Sequence, residues 1–358
     1  MDGSFAISPA DHLANCTGAA ARIAEIQLPD GAIPWFENGP WDAWNHTESA
    51  MALTAMGDLN RAAAAFEYLR ETQRPDGAWL GEYGNALPMV DRIYIAREPA
   101  PAVLDSNFCA YPAVGVLHYL RATGDRDQVQ NWWPMIQAAI DFVLSLQRAD
   151  GTICWSQEAV GSDEEKALLA GNASIVKSLE CAITLAKTFG QETERWCDAF
   201  ARLSQAVRDA ESPDFKPGTP LRFAMDWYYP VLSGALDRAA SKARLDTHWS
   251  EFVIADSGCL CVLDEPWITV AETCELVLAL ISVGAAEEAE QLLADIERQR
   301  DLAGDYWMGW QLAEDIMWPR EKPSWTQAAV ILATDALYGA DAASRVLTAS
   351  VSQTSQQA

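Results

Sequence analysis

Apolar residues recur at intervals of three to four along most of the chain, and no strict alternation of apolar and polar residues persists beyond a few positions. Such spacing predicts helices rather than strands. Twelve helices follow, in two alternating classes. One class is amphipathic, with charged faces as in LNRAAAAFEYLRETQ, and covers about 9–27, 58–73, 125–147, 191–210, 239–252 and 285–299. The other is more uniformly apolar, as in PWITVAETCELVLALISVG, and covers about 43–57, 105–123, 164–189, 224–237, 266–283 and 323–338. An amphipathic helix keeps one face in water, whereas a helix apolar all round is covered on every side. The first class is therefore assigned to an outer layer and the second to an inner one. Twelve helices alternating in this way, with the first outer helix pairing to the last inner one, describe an all-α (α/α)6 toroid in one domain over 1–345. The polar end, 346–358, is expected to fray.

The joints between the classes repeat. EIQLPDGAIPW (25–35), ETQRPDGAW (71–79) and SLQRADGTICW (145–155) each end an outer helix in a turn, and AESPDFKPG (210–218), FVIADSG (252–258) and RQRDLAGDYW (298–307) are looser versions. Proline presets one backbone angle, aspartate bonds nearby amides and glycine supplies a positive φ, so these are turn signals. The fullest example is the stretch 27–49, QLPDGAIPWFENGPWDAWNHTES, where turn, aromatic loop and next helix follow without a gap, with Asp42 placed as an N-cap.

Every outer-to-inner loop of such a toroid opens on one end of the barrel. Eleven of the fifteen tryptophans (Trp35, Trp41, Trp44, Trp79, Trp155, Trp227, Trp267, Trp307, Trp310, Trp318 and Trp325) fall in those loops or in the first turns of the inner helices. The aromatic end is accordingly the expected ligand cavity, although any single tryptophan serves packing equally well.

Half of the 358 residues are hydrophobic, enough for a large core, and no linker divides the chain. With 25 basic against 51 acidic residues the net charge is −26, which repels nucleic acid and anionic lipid surfaces. The partner expected is a small molecule, with no nucleic acid and no membrane span. Eight cysteines without a CxxC pair, mostly inside apolar runs, read as buried thiols of a reducing compartment. The N-terminal residues lack the basic and apolar regions of a signal peptide, so a cytoplasmic location is expected. No phosphate-binding glycine loop, HExxH or GxSxG is present, and neither a cofactor nor a metal is implied.

The turn-and-tryptophan repeat, clearest in AFEYLRETQRPDGAW, resembles the QW motif of squalene cyclases and protein prenyltransferases, themselves α/α barrels. That resemblance implies an isoprenoid-processing enzyme as one alternative, but the DxDD and DDxxD motifs are absent and four histidines offer no match to the zinc ligands. From about residue 105 the order of segments resembles the six-hairpin glycosidases of glucoamylase type. DSNFCAYPAVGVLHYLRATGD, LQRADGTICWSQE, NASIVKSLECAITLAKTFG, AETCELVLALISVGAAEEAEQLLADI and GWQLAEDIMWPREKPSWTQAAVILATDAL are similar to successive segments of that family. This implies acid/base hydrolysis of a small glycoside or glycoconjugate. Glu158 then corresponds to the family's general acid, and Glu314 to its general base, with Asp315 as the alternate. A binding toroid without catalysis is the remaining alternative.

Glycoside cleavage needs one carboxyl to protonate the leaving oxygen and another to activate water or attack. Aromatic faces suit the C–H faces of sugars, which makes Trp35, Trp41, Trp44, Trp155, Trp227, Trp310 and Trp325 candidate stacking surfaces. Asp42, Asn45, Asp105, Asp226 and Glu272 are candidate hydroxyl ligands. Acids at the start of an inner helix also cap its free amides, a role that fits Asp42, Asp105 and Asp264 without substrate. Asp226 and Glu272 lie a turn further in, on apolar helices, where an unpaired acid is expensive. They are therefore also candidates for catalysis. His46 and Glu48 are possible partners of each other, with a structural role for the histidine.

Overall fold

The computed structural model describes residues 9–83, 103–158, 163–164, 166–209, 221–339 and 341–350. The outer helices are α1 (Pro9–Ala14) with α2 (Thr17–Ile26), α4 (Leu59–Thr72), α7 (Arg126–Ser145), α9 (Glu194–Arg208), α11 (Arg238–Phe252) and α13 (Ala286–Asp295). The inner ones are α3 (Ala43–Ala55), α5 (Ser106–Ala110) with α6 (Pro112–Thr123), α8 (Leu169–Thr188), α10 (Ala224–Leu232), α12 (Val270–Val283) and α14 (Ser324–Tyr338). Around the inner ring α3 packs on α6, α6 on α8, α8 on α10, α10 on α12, α12 on α14, and α14 returns to α3. The chain is thus the (α/α)6 toroid that the alternating apolar pattern predicts, and its core runs continuously through both layers.

The boundaries differ from the sequence expectation for local reasons. The inner helix at 105–123 is broken at Tyr111, because Pro112 starts α6 and has no N–H to continue α5. The helix expected from 266 starts at Val270, since Trp267–Thr269 is a strand. The one expected from 164 starts at Leu169, and the one expected to run to 237 ends at Leu232. Eight strands of two or three residues occur among the described residues: β1 (Val103–Asp105), β2 (Ser156–Glu158), β3 (Asp163–Glu164), β4 (Val253–Ile254), β5 (Gly258–Cys259), β6 (Trp267–Thr269), β7 (Gly309–Gln311) and β8 (Ile316–Met317). They pair antiparallel as β1-β2-β3, β4-β5 and β6-β7-β8. β1 runs directly into α5 and β6 into α12, so these ribbons stand at the N-terminal ends of inner helices.

The repeated turns have a shared geometry that explains their sequence. Gln27, Gln73 and Gln147 each donate their side-chain amide twice, once to the turn carbonyl of Gly31, Gly77 or Gly151 and once to a carbonyl of the next outer helix, Arg61, Met135 or Ala199, all at 2.8–3.2 Å. The glycine backbone meets that same helix. At Gly77, where φ is +87°, a Cβ would lie 2.3 Å from the Ala138 carbonyl oxygen. Gly31 and Gly151 make the same approach to Ala64 and Arg202. The turn at 298–307 closes the ring with different atoms. A Cβ on Gly18 of α2 would fall 2.4 Å from the Gly304 carbonyl carbon, and Arg300 donates to Asn15 O at 2.7 Å. The turn expected at 210–218 lies outside the described residues.

The C-terminal segment is packed as far as it is described. Val346 is buried, Lys177 on α8 donates to Ala349 O at 3.0 Å, and Arg121 on α6 donates to Ala342 O at 3.4 Å. The segment 341–350 therefore covers the base of the ring instead of fraying from 346, because an apolar pair, Val346 and Leu347, anchors it. Residues 351–358 lie outside the described residues. No helix among the described residues is long and apolar enough to cross a membrane.

Because the staple glycines combine a positive φ with backbone contact, Gly77→Ala is expected to cost about 2 kcal/mol or more. Gly124→Ala, also at positive φ but with open space beside it, is expected to cost only about 1 kcal/mol. Chemical denaturation of the two variants checks this, and equal losses would remove the significance of the contact with Ala138.

Candidate active site

The aromatic stretch 27–49 ties three elements together. Trp35 accepts a backbone bond from Ser324 of α14 at 2.8 Å, and its ring meets Trp325 edge-on at 5.5 Å. His46 takes the amide of Ile33 on Nδ1 at 3.1 Å and bonds Ala65 O of α4 through Nε2 at 2.9 Å, which assigns the proton to Nε2. Burial holds its imidazole down at about 4, so it is a neutral brace. It does not partner Glu48, which turns instead to Tyr111 at 3.1 Å and to the Trp44 indole.

Asp42 is fully buried and accepts three bonds, from Asn45 N at 2.8 Å, Asn45 Nδ2 at 2.6 Å and Trp35 Nε1 at 2.6 Å. It caps α3, and burial nevertheless pushes its carboxyl up. Asp105, half-buried at the end of β1, caps α5 by accepting from Asn107 N and Phe108 N at 2.9 and 3.0 Å. Burial pushes it up to about 7, and the neighbouring Asp42 charge adds to the effect. The two aspartates therefore sit near one another at the starts of adjacent inner helices.

Asp226, on α10, reaches across to α8, whose own N-cap Leu168 offers no side-chain bond, and accepts from Ala170 N at 3.1 Å. It is a cap supplied by a neighbour. Glu272 differs from all three. Thr269-x-x-Glu272 has the sequence form of a capping box, yet the Thr269 hydroxyl makes no hydrogen bond and the Glu272 carboxylate accepts from the Cys261 thiol at 3.0 Å. Half-buried in the first turn of α12, Glu272 caps no helix amide among the described residues.

Below this level a cavity of about 30 Å³ lies on the axis, lined by Glu48, Tyr111, Lys177, Tyr229, Glu275 and Leu347 among others. Glu48 is pushed up to about 7 by burial, with the charges of Asp42 and Glu272 adding to it. Glu275, one turn beyond Glu272, is pushed well up by burial and by Glu48 and Glu272, while Tyr228 and Tyr229 donate to it. Asp42, Asp105, Glu48, Glu272 and Glu275 are thus electrostatically linked around one axis. A groove of about 1120 Å³ on the outer flank between α7 and α9 holds none of these carboxyls.

The other sequence candidates are distributed as follows. Glu158 pairs its backbone with Val103, two residues along the ribbon from the Asp105–Ser156 pair, and its side chain lies outside the described residues. Glu314 is exposed on the β7–β8 turn, with its amide on Gln311 Oε1 at 2.9 Å. Asp315, at φ 53° on the same turn, accepts from the Trp310 indole at 3.1 Å and stands 3.6 Å from Arg298. Four indoles are not open stacking surfaces. Trp227 is wholly buried against Phe252, with centroids 5.2 Å apart, and Trp310 is covered by the Arg298 guanidinium at 3.6 Å. Trp41 is filled in by Tyr83, stacked at 4.3 Å, and Trp44 by Tyr111 at 4.7 Å. Trp35, Trp155 and Trp325 keep partly open faces. Asp264, expected as a cap, instead pairs with Arg222 at 2.9 Å on the surface. Glu275 and Cys261 were not singled out by sequence. Glu275 was detectable as a second acid one turn from Glu272 on an apolar helix, whereas nothing in the chain order joins Cys261 to Glu272.

No family model matches the chain. A curated relative, the MMP endo-(1,4)-3-O-methyl-alpha-D-mannosidase of Mycolicibacterium hassiacum, is 45% identical over 322 residues, 90% of this chain and 86% of its own length. Among solved structures, a wild-type glycosidase superposes with a TM-score of 0.69 at 13% identity, covering 92% of this chain and 98% of its own. A GH63 mannosylglycerate hydrolase from Thermus thermophilus does so with a TM-score of 0.66 at 14% identity, covering 88% and 99%. At those identities the two structures speak for the fold.

The buried Glu48 carboxyl has a pH signature. Its proton affinity is higher in the folded chain than in the unfolded one, so its contribution is favourable below an ordinary glutamate value and is lost as pH rises towards about 7. Glu48→Gln cannot ionise, so the variant is expected to lose less stability than the parent between about pH 4.5 and 7. Thermal unfolding of both proteins across that window checks it, and parallel curves would contradict it.

Proposed function

The chain belongs to the family of the Mycolicibacterium endo-mannosidase and is a glycoside hydrolase, and on that basis we propose that it cleaves internal 1,4-linkages between 3-O-methyl-α-mannose units. The relative's own specificity supports this substrate. Hydrolysis displaces the isoprenoid alternative. We read the glutamine-turn-tryptophan staples as structural counterparts of QW repeats within a six-hairpin glycosidase architecture. Free thiols at all eight cysteines support a cytoplasmic location.

The observation that carries the site assignment is that Glu272 is the one acid of Asp42, Asp105, Asp226 and Glu272 that caps no helix. It is assigned as the general base that takes a proton from the attacking water. Across the axis the Asp42–Asp105 pair supplies the proton to the leaving glycosidic oxygen, since burial pushes both carboxyls up and the Asp42 charge adds to the rise of Asp105 to about 7. Glu48 feels both Asp42 and Glu272 and so couples the two sides. The proposed acids and base start on non-adjacent inner helices, a separation that favours a water between them and inversion at the anomeric carbon. The half-open faces of Trp35, Trp155 and Trp325 are assigned to flanking sugars. Glu158, on the ribbon that carries Asp105, is the rival proton donor.

Glu272→Gln is expected to lower kcat/KM on a 3-O-methylmannose oligosaccharide by about 10³-fold or more with unfolding unchanged. Whichever of Asp42→Asn and Asp105→Asn removes the proton donor loses about 10²-fold or more, and Glu314→Gln on its exposed turn stays within about two-fold. A large loss at Glu158→Gln with little at either aspartate would transfer the acid role to β2. Proton NMR of the first products is expected to show the β-anomer. Wild-type turnover by Glu272→Gln would refute the site.

A further inference from the structure

We propose that Cys261 is a positioning residue for the reaction, its thiol aiming the Glu272 carboxylate at the attacking water. This rests on the assignment of Glu272 as the base. The Sγ to Oε1 separation is 3.0 Å, short for a sulfur donor. Cys261 is itself held on both sides, its amide donating to Trp267 O at 3.1 Å and its carbonyl accepting from Ala224 N at 3.0 Å. It therefore connects the starts of α10 and α12 and offers a donor from a fixed backbone. Its neighbour Cys259 adds a second tie, donating its amide to Thr273 Oγ1 at 2.9 Å, one residue beyond Glu272.

The alternative for Glu272 is the capping box that its sequence allows. In that arrangement the carboxylate would fold back on the backbone of Thr269. The unpaired Thr269 hydroxyl shows that the box is not formed. The thiol offers the carboxylate a partner on the other side, which keeps it turned away from its own helix end. Cys261 does not act as a nucleophile here. Burial and the adjacent Glu272 carboxylate push its thiol well up, which keeps the proton on sulfur and the group a donor.

The experiment compares Cys261→Ala, Cys261→Ser and Glu272→Gln by steady-state kinetics on the same oligosaccharide, with thermal unfolding to confirm the fold. Cys261→Ala is expected to lower kcat about ten-fold with KM within about two-fold, one hydrogen bond's worth. Cys261→Ser, which keeps a donor, recovers most of the lost kcat. Wild-type kcat in Cys261→Ala, with Glu272→Gln inactive, would overturn the positioning role alone. If Glu272→Gln turns over normally, the base assignment fails and the positioning role falls with it.

Discussion

The architecture depends on a side-chain amide that serves two backbones at once. Gln27, Gln73 and Gln147 each satisfy the carbonyl of their own turn and a carbonyl of the following outer helix. The turn carbonyl stands past the end of its own helix, whereas the carbonyls of Arg61, Met135 and Ala199 lie inside α4, α7 and α9 and give a second lone pair. Placing the donor in the turn fixes the distance between neighbouring outer helices, and the glycine lets the two backbones touch. Because the outer helices are spaced in this way, the inner ones close into a ring and their N-termini face one mouth. The proximity of distant acids is a consequence of that closure.

Helix starts then decide how the acids around the mouth are paired. Inner helices begin beside the cavity, and their free amides attract carboxylates whether or not a substrate exists. Asp42 and Asp105 answer that demand on their own helices, and Asp226 answers it for α8 from α10. α12 enters directly from a strand, with the Val270 amide already given to Met308 O. Its need for a cap is smaller, and the Glu272 carboxylate goes to the Cys261 thiol instead. Burial without full pairing also explains why Glu48 and Asp105 hold protons to about 7. A chain carrying a net charge of −26 gathers five linked carboxyls around one axis, and it does so with tyrosine, tryptophan and backbone donors in place of arginine.

The aromatic residues divide along similar lines. Trp79, with no exposed surface, and Trp227 plug the junctions of the layers, each with its indole N–H on a backbone carbonyl. Trp35 and Trp325 meet edge-on where the ring closes and retain open faces. Their chemistry is the same, and depth in the ring sets how much of each face stays open.

Periodicity alone determined the toroid, because an inner helix covered on all sides must be apolar all round and an outer one must not. Turn chemistry marked the loops between the layers, and the apolar setting of Glu272 marked that acid as costly unless paired. Resemblance in segment order pointed to Glu158 and Glu314, and sequence cannot show that the β7–β8 turn carries Glu314 into solvent. Nor could it separate the capping acids from Glu272, since Thr269-x-x-Glu272 reads as a cap in one dimension. Only the tertiary structure set a thiol from the β5–β6 connection against that carboxylate. Local sequence encodes which backbone groups want partners, whereas the partner each one finds depends on which other helix ends the closed ring brings within reach.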